Sequence, residues 1–434
     1  MSEWAESNIA NAEGFFAGVA AVMRRESALF LAGIGVVAAH IVDDNFVQPQ
    51  PGMSPGDHLA SGLIPIALLV LGAGLFLRAR AGVRAVVSLL FGFFGLVTSS
   101  EAVYYAREVG PSGDDYTGFL AIPAGLLLIG IGVVLLWKTR IRHDSLQRRY
   151  VRRLLLALGA LVISVCVLFP VAESYVVTHA ARAVAPPAVL GAAYEQVEFT
   201  TSDGLRLRGW YVPSKNGAAV IAFPGKSGPQ KQTRMLVRHG YGVLLFDRRG
   251  EGESDGDPNA LGWAGVRDLN AAVEFLRGRT DVDPNRIGGI GLSVGGELLL
   301  QAAAESDALK AVVSEGAGIR SVREALEASG PEKWLAVPVW AGTTAATAVF
   351  SNTAPPPNLR SLVARIAPRP VFFIFATKGQ GGEQLSSDFY EAARQPKELW
   401  EIPDAGHTGG ITARPEEYER RVIGFFDRAL LEGK

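Results

Sequence analysis

The chain divides into two parts with different patterns of hydrophobic and polar residues. Up to about residue 180, long uncharged apolar runs are separated by short polar loops. A helix needs about 20 such residues to cross a hydrocarbon core of about 30 Å. Four runs approach or reach this length, and we predict that they span a membrane: residues 59–77, 85–100, 118–137 and 154–171.

A fifth run, residues 28–42, is a weaker candidate. It is shorter, contains His40 and ends at Asp43-Asp44. A short helix can still cross if polar residues at its ends reach the membrane surface. The alternative for all of these runs is a set of buried helices in a soluble protein, but their number and close spacing favour four or five membrane spans.

The charges of the loops predict an orientation. Two loops are rich in base, whereas residues 43–58 contain no Lys or Arg and residues 104–117 contain one. The basic residues are Arg78, Arg80, Arg84, Lys138, Arg140, Arg142, Arg148, Arg149, Arg152 and Arg153. Short basic loops stay in the cytoplasm. We therefore expect an integral protein of a bacterial-type plasma membrane, with everything after about residue 178 on the extracytoplasmic face.

From residue 194 onward, strand and helix patterns alternate. Residues 194–200 and 205–212 alternate apolar and polar positions across a Gly-containing turn, which predicts a hairpin. Continuous apolar runs follow at 218–223, 242–246, 287–291, 309–313 and 371–376, with a last strand at 399–402. Helical patterns lie at 232–239, 264–277, 296–304, 388–393 and 415–431. Continuous apolar strands are typical of a parallel sheet that helices cover on both faces.

This pattern predicts three parts: a transmembrane helical domain at 1–177, a linker at 178–193 with Pro186-Pro187, and a three-layer α/β domain at 194–434. In open α/β sheets the functional site lies beyond the carboxyl ends of the strands.

Gly291-Leu292-Ser293-Val294-Gly295 lies at such a strand end, before a helical run. Strand, sharp turn and helix are the context in which Gly-x-Ser-x-Gly forms a nucleophile elbow. The two glycines accommodate the crowding at the turn. We therefore predict that Ser293 is a nucleophile, which requires an adjacent base.

Residues 194–432 resemble the α/β-hydrolase superfamily. Besides the elbow, the segment from Asp247 to Ser254 resembles the family pattern D-x-R-G-x-G-x-S. The order strand, Pro224-Gly225, strand, elbow, acid, histidine also matches. The resemblance implies an α/β-hydrolase fold and a Ser-His-acid triad.

His407 is the predicted base. Of the six histidines, His40, His58 and His143 lie in the apolar half, His179 lies at its border and His239 closes a predicted helix. His407 follows the last predicted strand directly, which is where the resemblance places the catalytic histidine.

The acid of the triad is less certain. The resemblance implies an Asp shortly after the strand that ends at Ala376, but residues 377–383 contain none. Glu383 lies in that loop and is the preferred acid, with Asp388 as the alternative; Asp404 is too close to His407 to be the usual partner. The acid would hold the imidazole tautomer and stabilise the imidazolium.

Two backbone donors complete the predicted site. The N–H of Val294, directly after the nucleophile, is one donor to an oxyanion. By the resemblance, the second is the N–H of Lys226, in the loop after Pro224-Gly225.

Residues 317–368 interrupt the alternation and carry Trp334, Trp340 and Phe350. We interpret them as a small helical cap, apolar enough to favour an acyl or other hydrophobic group.

Composition excludes several other classes of function. The 42 basic and 43 acidic residues nearly balance, which argues against nucleic acid as a partner. The single cysteine, Cys166, permits no disulfide within the chain. Histidine and cysteine do not cluster at metal-ligand spacing, so we expect no metal and no cofactor.

The leading hypothesis is a membrane-anchored serine hydrolase that cleaves a small-molecule acyl substrate, such as a lipophilic ester, through an acyl-enzyme. One alternative is a serine peptidase or aminopeptidase, which would use the same residues. Another is a non-catalytic sensor or scaffold with a hydrolase-like binding domain. A transporter is disfavoured because the spans contain almost no charge. The sequence leaves the substrate, the oligomeric state and the role of the helices beyond anchoring open.

Overall fold

The computed structural model describes residues 25–108, 110–111, 113–138, 146–180, 182, 189–224, 228–327, 333–379 and 382–432. The chain forms two compact units. The first comprises Met1–Pro49 and Ser54–Val176, and the second comprises Gln50–Met53 and Val177–Lys434. Seven of the sixteen residues of the predicted linker at 178–193, including Pro186-Pro187, lie outside the described residues.

The first unit is helical. Its helices are α1 (Arg25–Val47), α2 (Leu59–Arg78), α3 (Ala81–Thr98), α4 (Ser100–Glu108), α5 (Asp115–Lys138), α6 (Leu146–Ile163) and α7 (Phe169–Thr178). A 3₁₀ turn, Pro55–His58, precedes α2, and a π-helical turn, Ser164–Leu168, joins α6 to α7. Helices α3 and α5 pack closely because glycines face each other: a Cβ added at Gly92 would lie 2.8 Å from the carbonyl oxygen of Gly125.

Five helices among the described residues are long and apolar enough to cross a membrane. They are Arg25–Val47, Pro55–Arg78, Ala81–Arg107, Asp115–Lys138 and Tyr150–Thr178. Each contains one of the five predicted runs, including the weaker candidate at 28–42, and each is longer than its run. That they cross a membrane stays a prediction.

Contacts at the two ends of this unit show that α1 and α5 run antiparallel. At one end, Nζ of Lys138 lies 2.5 Å from Oε1 of Glu26. At the other end, the Thr117 hydroxyl donates to Oδ2 of Asp43 at 2.8 Å. The start of α1 therefore lies beside the end of α5, and the end of α1 lies beside the start of α5.

The second unit is built on one eight-stranded sheet with the order β1-β2-β4-β3-β5-β6-β7-β8. The strands are β1 (Glu195–Thr200), β2 (Arg206–Val212), β3 (Ala219–Phe223), β4 (Gly242–Phe246), β5 (Ile287–Leu292), β6 (Ala311–Glu315), β7 (Val371–Ala376) and β8 (Lys397–Ile402). β2 is antiparallel to both β1 and β4, and all other neighbours are parallel. The predicted α/β fold with a mostly parallel sheet is confirmed for this half of the chain.

Helices cover both faces of this sheet. The helices of this unit are α8 (Gln230–Arg238), α9 (Val266–Arg277), α10 (Val294–Glu305), α11 (Val322–Glu327), α12 (Lys333–Phe350), α13 (Leu359–Leu362), α14 (Leu385–Ala392), α15 (Gly410–Ala413) and α16 (Pro415–Phe426). Alternate side chains of one strand enter different cores. Ile221 packs in the cluster that contains Leu299 of α10, and Val220 packs in the cluster that contains Phe426 of α16.

Two predicted boundaries near the site were wrong. The helix expected to start at residue 296 starts at Val294, directly after Ser293. The strand expected at 309–313 is β6, which starts at Ala311 and runs two residues further, to Glu315. The polar residues Ser314 and Glu315 suggested the end of an apolar strand, but the structure buries both.

Candidate active site

Ser293 occupies a sharp turn between β5 and α10. Its backbone has φ 52° and ψ −124°, a conformation that residues other than glycine rarely adopt. Such strain costs about 1–3 kcal/mol and is found mainly where function requires it. The N–H of Ser293 donates to the carbonyl oxygen of Glu315 at 2.7 Å, which ties the turn to the neighbouring strand β6.

The two glycines of the elbow leave no room for a side chain. A Cβ added at Gly291 would lie 2.4 Å from the carbonyl group of Gly295. A Cβ added at Gly295 would lie 2.5 Å from the carbonyl oxygen of Phe223, at the end of β3. The turn therefore packs backbone against backbone, as the motif predicts.

His407 lies in the loop after β8 and faces Ser293. Its Nε2 is 2.9 Å from Oγ of Ser293. The imidazole is partly exposed, with 38% of its side-chain surface accessible. The structure thus brings together two residues that are 114 positions apart in the sequence.

Glu383 holds the other nitrogen of the imidazole. Its Oε1 is hydrogen-bonded to Nδ1 of His407, and its Oε2 accepts from the N–H of Ala376 at 2.9 Å. The carboxylate is fully buried. It fits because residue 379 is glycine: a Cβ there would lie 2.3 Å from Cδ of Glu383.

The two alternative acids lie elsewhere. Asp404 pairs with Arg414 at 3.0 Å. Asp388 lies in the first turn of α14. The geometry therefore favours Glu383 among the three acids that the sequence offered.

The pKa of His407 is raised above its ordinary value. The main cause is the hydrogen bond to Glu383, which favours the charged imidazolium, and partial burial opposes it. A base with this environment keeps its proton more tightly than a free imidazole.

Glu315 is a further member of the site that the sequence reasoning missed. Its Oε1 accepts from the N–H of Gly410 at 2.8 Å, and its Oε2 accepts from the hydroxyl of Tyr418 at 2.6 Å. Its main chain holds Ser293 and its side chain holds the loop that carries His407. Burial raises the pKa of its carboxyl group. An acid at the carboxyl end of an apolar strand was the available signal.

Glu297, one helical turn after Ser293, was also missed. Its Oε1 accepts from the N–H of Gly318 at 3.2 Å. Burial raises its pKa to about 7, and Arg320 is the largest opposing influence. Glu297 is thus a buried acidic residue in the first turn of α10, the helix that follows Ser293.

Only one of the two expected oxyanion donors is described. Val294 is the first residue of α10, and the first N–H groups of a helix have no acceptor within it. Lys226 lies outside the described residues.

The segment after β4 is held by ion pairs. Arg249 lies 2.7 Å from Oδ1 of Asp268 and 2.9 Å from Oδ2 of Asp203, and Arg248 pairs with Glu251. This agrees with a structural role for the two arginines.

The predicted cap region contains α11, α12 and α13. The residue directly before this region adjoins the site: a Cβ at Gly316 would lie 3.4 Å from both Cδ of Glu383 and Cε1 of His407.

Comparisons with known proteins agree with this fold. Residues 184–400 match the family X-Pro dipeptidyl-peptidase (S15 family). The uncharacterized protein YfhR of Escherichia coli O157:H7 is 29% identical over 259 residues, which cover 54% of this chain and 81% of YfhR. The alpha/beta hydrolase domain-containing protein WAV2 of Arabidopsis thaliana is 32% identical over 151 residues, which cover 33% of this chain and 46% of WAV2.

Among solved structures, the esterase Pf2001 of Pyrococcus furiosus is 26% identical, with a TM-score of 0.46, over 57% of this chain and 98% of the esterase chain. The family match spans half of the 434 residues and includes the sheet from β1 into β8 together with Ser293 and Glu383. The chain therefore belongs to the X-Pro dipeptidyl-peptidase (S15) family, and its C-terminal half is a hydrolase with the α/β-hydrolase fold.

Proposed function

We propose that this chain is a membrane-anchored serine hydrolase that cleaves an ester or other acyl substrate through an acyl-enzyme. The observation that carries the proposal is the unbroken series of hydrogen bonds from Glu383 through His407 to Ser293. A serine hydroxyl on a strained turn, a base within bonding distance and a buried acid behind that base are the parts that acyl transfer requires.

In the proposed mechanism, Oγ of Ser293 attacks the carbonyl carbon of the substrate and passes its proton to Nε2 of His407. The same Nε2 then protonates the leaving group as the carbonyl–oxygen or carbonyl–nitrogen bond breaks. Water then attacks the carbonyl carbon of the acyl-enzyme and gives a proton to Nε2 of His407, which passes it to Oγ of Ser293 as the acyl–Oγ bond breaks and the acid product leaves. Glu383 holds the Nδ1–H tautomer and stabilises the imidazolium in both steps.

The N–H groups of Val294 and Lys226 are the proposed donors to the oxyanion. Both are backbone groups, so their contribution does not depend on side-chain chemistry. Loss of one such donor typically lowers the rate by about 10²–10³.

The substrate bond is proposed to be an ester. A peptidase that requires a free amino terminus needs an accessible carboxylate for the ammonium group. The carboxylates that contribute most to the raised pKa of His407 are Glu383, Glu315 and Glu297, and all three are buried. The second candidate, a serine peptidase, is supported by the family match, and amide cleavage would use the same triad.

The membrane anchor is proposed from the five apolar helices and the basic loops between them. The bias of Lys and Arg supports an extracytoplasmic hydrolase unit. An enzyme held at a membrane can act on lipophilic acyl compounds, and the apolar cap region agrees with such a substrate.

The test is labelling of the full-length protein in detergent with a fluorophosphonate probe, which reacts with activated serines. We expect labelling of the wild type and none of Ser293→Ala. A panel of a short-chain ester, a long-chain ester, a thioester and an Xaa-Pro anilide then distinguishes the two candidates. A folded wild type that takes up no probe and cleaves none of the panel would overturn the proposal.

A further inference from the structure

The cap helix α12 has its polar and apolar sides reversed relative to a helix that faces water. Its most exposed positions are Trp334, Pro338, Ala341 and Ala345, which recur every three or four residues and so form one stripe. Its buried positions among the described residues are Thr343 and Thr347, on the opposite side. The helix thus hides its hydroxyl groups and presents apolar surface outward.

Large hydrophobic residues are rarely exposed in the second unit. In the part of this unit that the structure describes, they are Val189, Leu326 and Trp334, at 76%, 44% and 70% exposure. Leu326 lies near the end of α11 and Trp334 near the start of α12. Two of the three therefore lie where α11 ends and α12 begins, whereas scattered single residues would need no explanation.

The residues beside this stripe have the chemistry of a membrane surface. Nζ of Lys333 lies 5.6 Å from the centre of the Trp334 ring. Tryptophan and lysine together are typical of the level of lipid headgroups, where the ring is half immersed and the ammonium group reaches water. From Lys333 to Phe350 the helix contains no acidic residue.

The far end of α12 adjoins the point where the chain leaves its last apolar helix. Within the second unit, the ring of Phe350 packs edge-on against His179, with ring centres 6.2 Å apart. His179 directly follows the apolar helix Tyr150–Thr178. In addition, the carbonyl oxygen of Val177 accepts from the N–H of Ala260 at 2.8 Å. Within the second unit, the carboxyl end of α12 therefore lies close to His179, the residue at which the chain leaves that helix.

We propose that the outward stripe of α12, with Leu326 beside it, contacts the lipid bilayer in which the chain's own apolar helices lie. The inference rests on the proposed membrane anchoring and assigns the cap a second role, as the part of the hydrolase unit that lies in the lipid surface. Lipid is the proposed partner of the stripe for three reasons. The stripe is apolar, Lys333 and Trp334 lie at its amino-terminal end, and its carboxyl-terminal end lies near the point where the chain is proposed to enter the bilayer.

The test uses the full-length protein in phosphatidylcholine vesicles, with Cys166→Ser to remove the native thiol. Single cysteines replace Trp334 on α12, Leu126 on α5 and Glu274 on α9, all of which are exposed, and each is labelled with a small fluorophore. Brominated lipid then reports contact with acyl chains by quenching. We expect loss of fluorescence at positions 334 and 126 and none at 274.

Quenching at 126 without quenching at 334 would overturn the inference and leave the membrane anchor intact. Lack of quenching at both positions would overturn the anchor itself. If the fluorophore at 334 is shielded from iodide in water but insensitive to brominated lipid, a protein surface or a second copy covers the stripe, and the inference is wrong. Fluorophosphonate labelling of each variant reports separately on Ser293.

Discussion

At the scale of single residues, the carboxylate that is hydrogen-bonded to His407 belongs to a glutamate in a glycine-rich loop. The carboxylate of Glu383 is fully buried, and its second oxygen is held by the N–H of Ala376. The carboxylate group of Glu383 occupies the space that Gly379 leaves open. A change of either residue would therefore alter the position of the imidazole.

Replacement Glu383→Gln tests this role. The amide keeps the size of the side chain but no longer stabilises the imidazolium, so we expect kcat on an ester to fall roughly 10³–10⁴-fold. Asp388→Asn is the matched control and should leave kcat unchanged. Equal kcat values for wild type and Glu383→Gln would show that Glu383 is not the acid.

The same variant has a defined effect on the pH profile. In the proposed mechanism His407 acts as a base only when neutral, and we expect its raised pKa to move the acid limb of kcat/KM above pH 6.5, the ordinary value for histidine. Without the carboxylate the imidazolium loses its main stabilisation. The midpoint of the acid limb of kcat/KM should therefore shift to lower pH in Glu383→Gln. A midpoint that stays in place would contradict the assigned cause.

At the scale of elements, one residue of β6 connects the two loops of the site. Glu315 accepts the N–H of Ser293 with its main chain and the N–H of Gly410 with its side chain. The elbow and the histidine loop therefore share a support, although they lie far apart in the sequence.

The substitution Glu315→Ala should separate this support from substrate binding. It leaves the N–H of Gly410 and the hydroxyl of Tyr418 without their acceptor, at about 1–3 kcal/mol for each buried group. We expect a lower Tm and a lower kcat, with KM for a small ester nearly unchanged. Glu398→Ala, which removes an exposed ion pair with Arg428, is the control and should cost at most about 1 kcal/mol. A wild-type Tm and kcat in Glu315→Ala would contradict this role.

Local patterns and residue rarity explain what could be predicted from the sequence. The continuous apolar strands and the glycines of the elbow are recognised from a few neighbouring residues. The structure contains them close to their predicted positions. His407 was found because the chain has only six histidines, and three of them lie in the apolar half. Glu315 was not found because it is one of 43 acidic residues and its partner Gly410 is 95 positions away. Only the folded sheet brings such pairs together.

At the scale of the whole molecule, the five apolar helices and the charges at their ends define a topology that can be tested. In a Cys166→Ser background, we place single cysteines at Gln147, in the proposed cytoplasmic part, and at Glu274, in the hydrolase unit. A membrane-impermeant maleimide applied to intact cells should label position 274 and reach 147 only after permeabilisation. The opposite pattern would invert the proposed orientation.

Five crossings are an odd number, so in this topology the two ends of the chain lie in different compartments. The whole hydrolase unit must then be exported as an unfolded chain, and its sheet forms only after export, away from cytoplasmic chaperones. The position of the single cysteine suits this route. Cys166 lies in the last apolar helix, and no thiol follows it in the chain. Oxidising conditions outside the cell favour disulfides. Because the exported unit has no thiol, it cannot form an incorrect disulfide there.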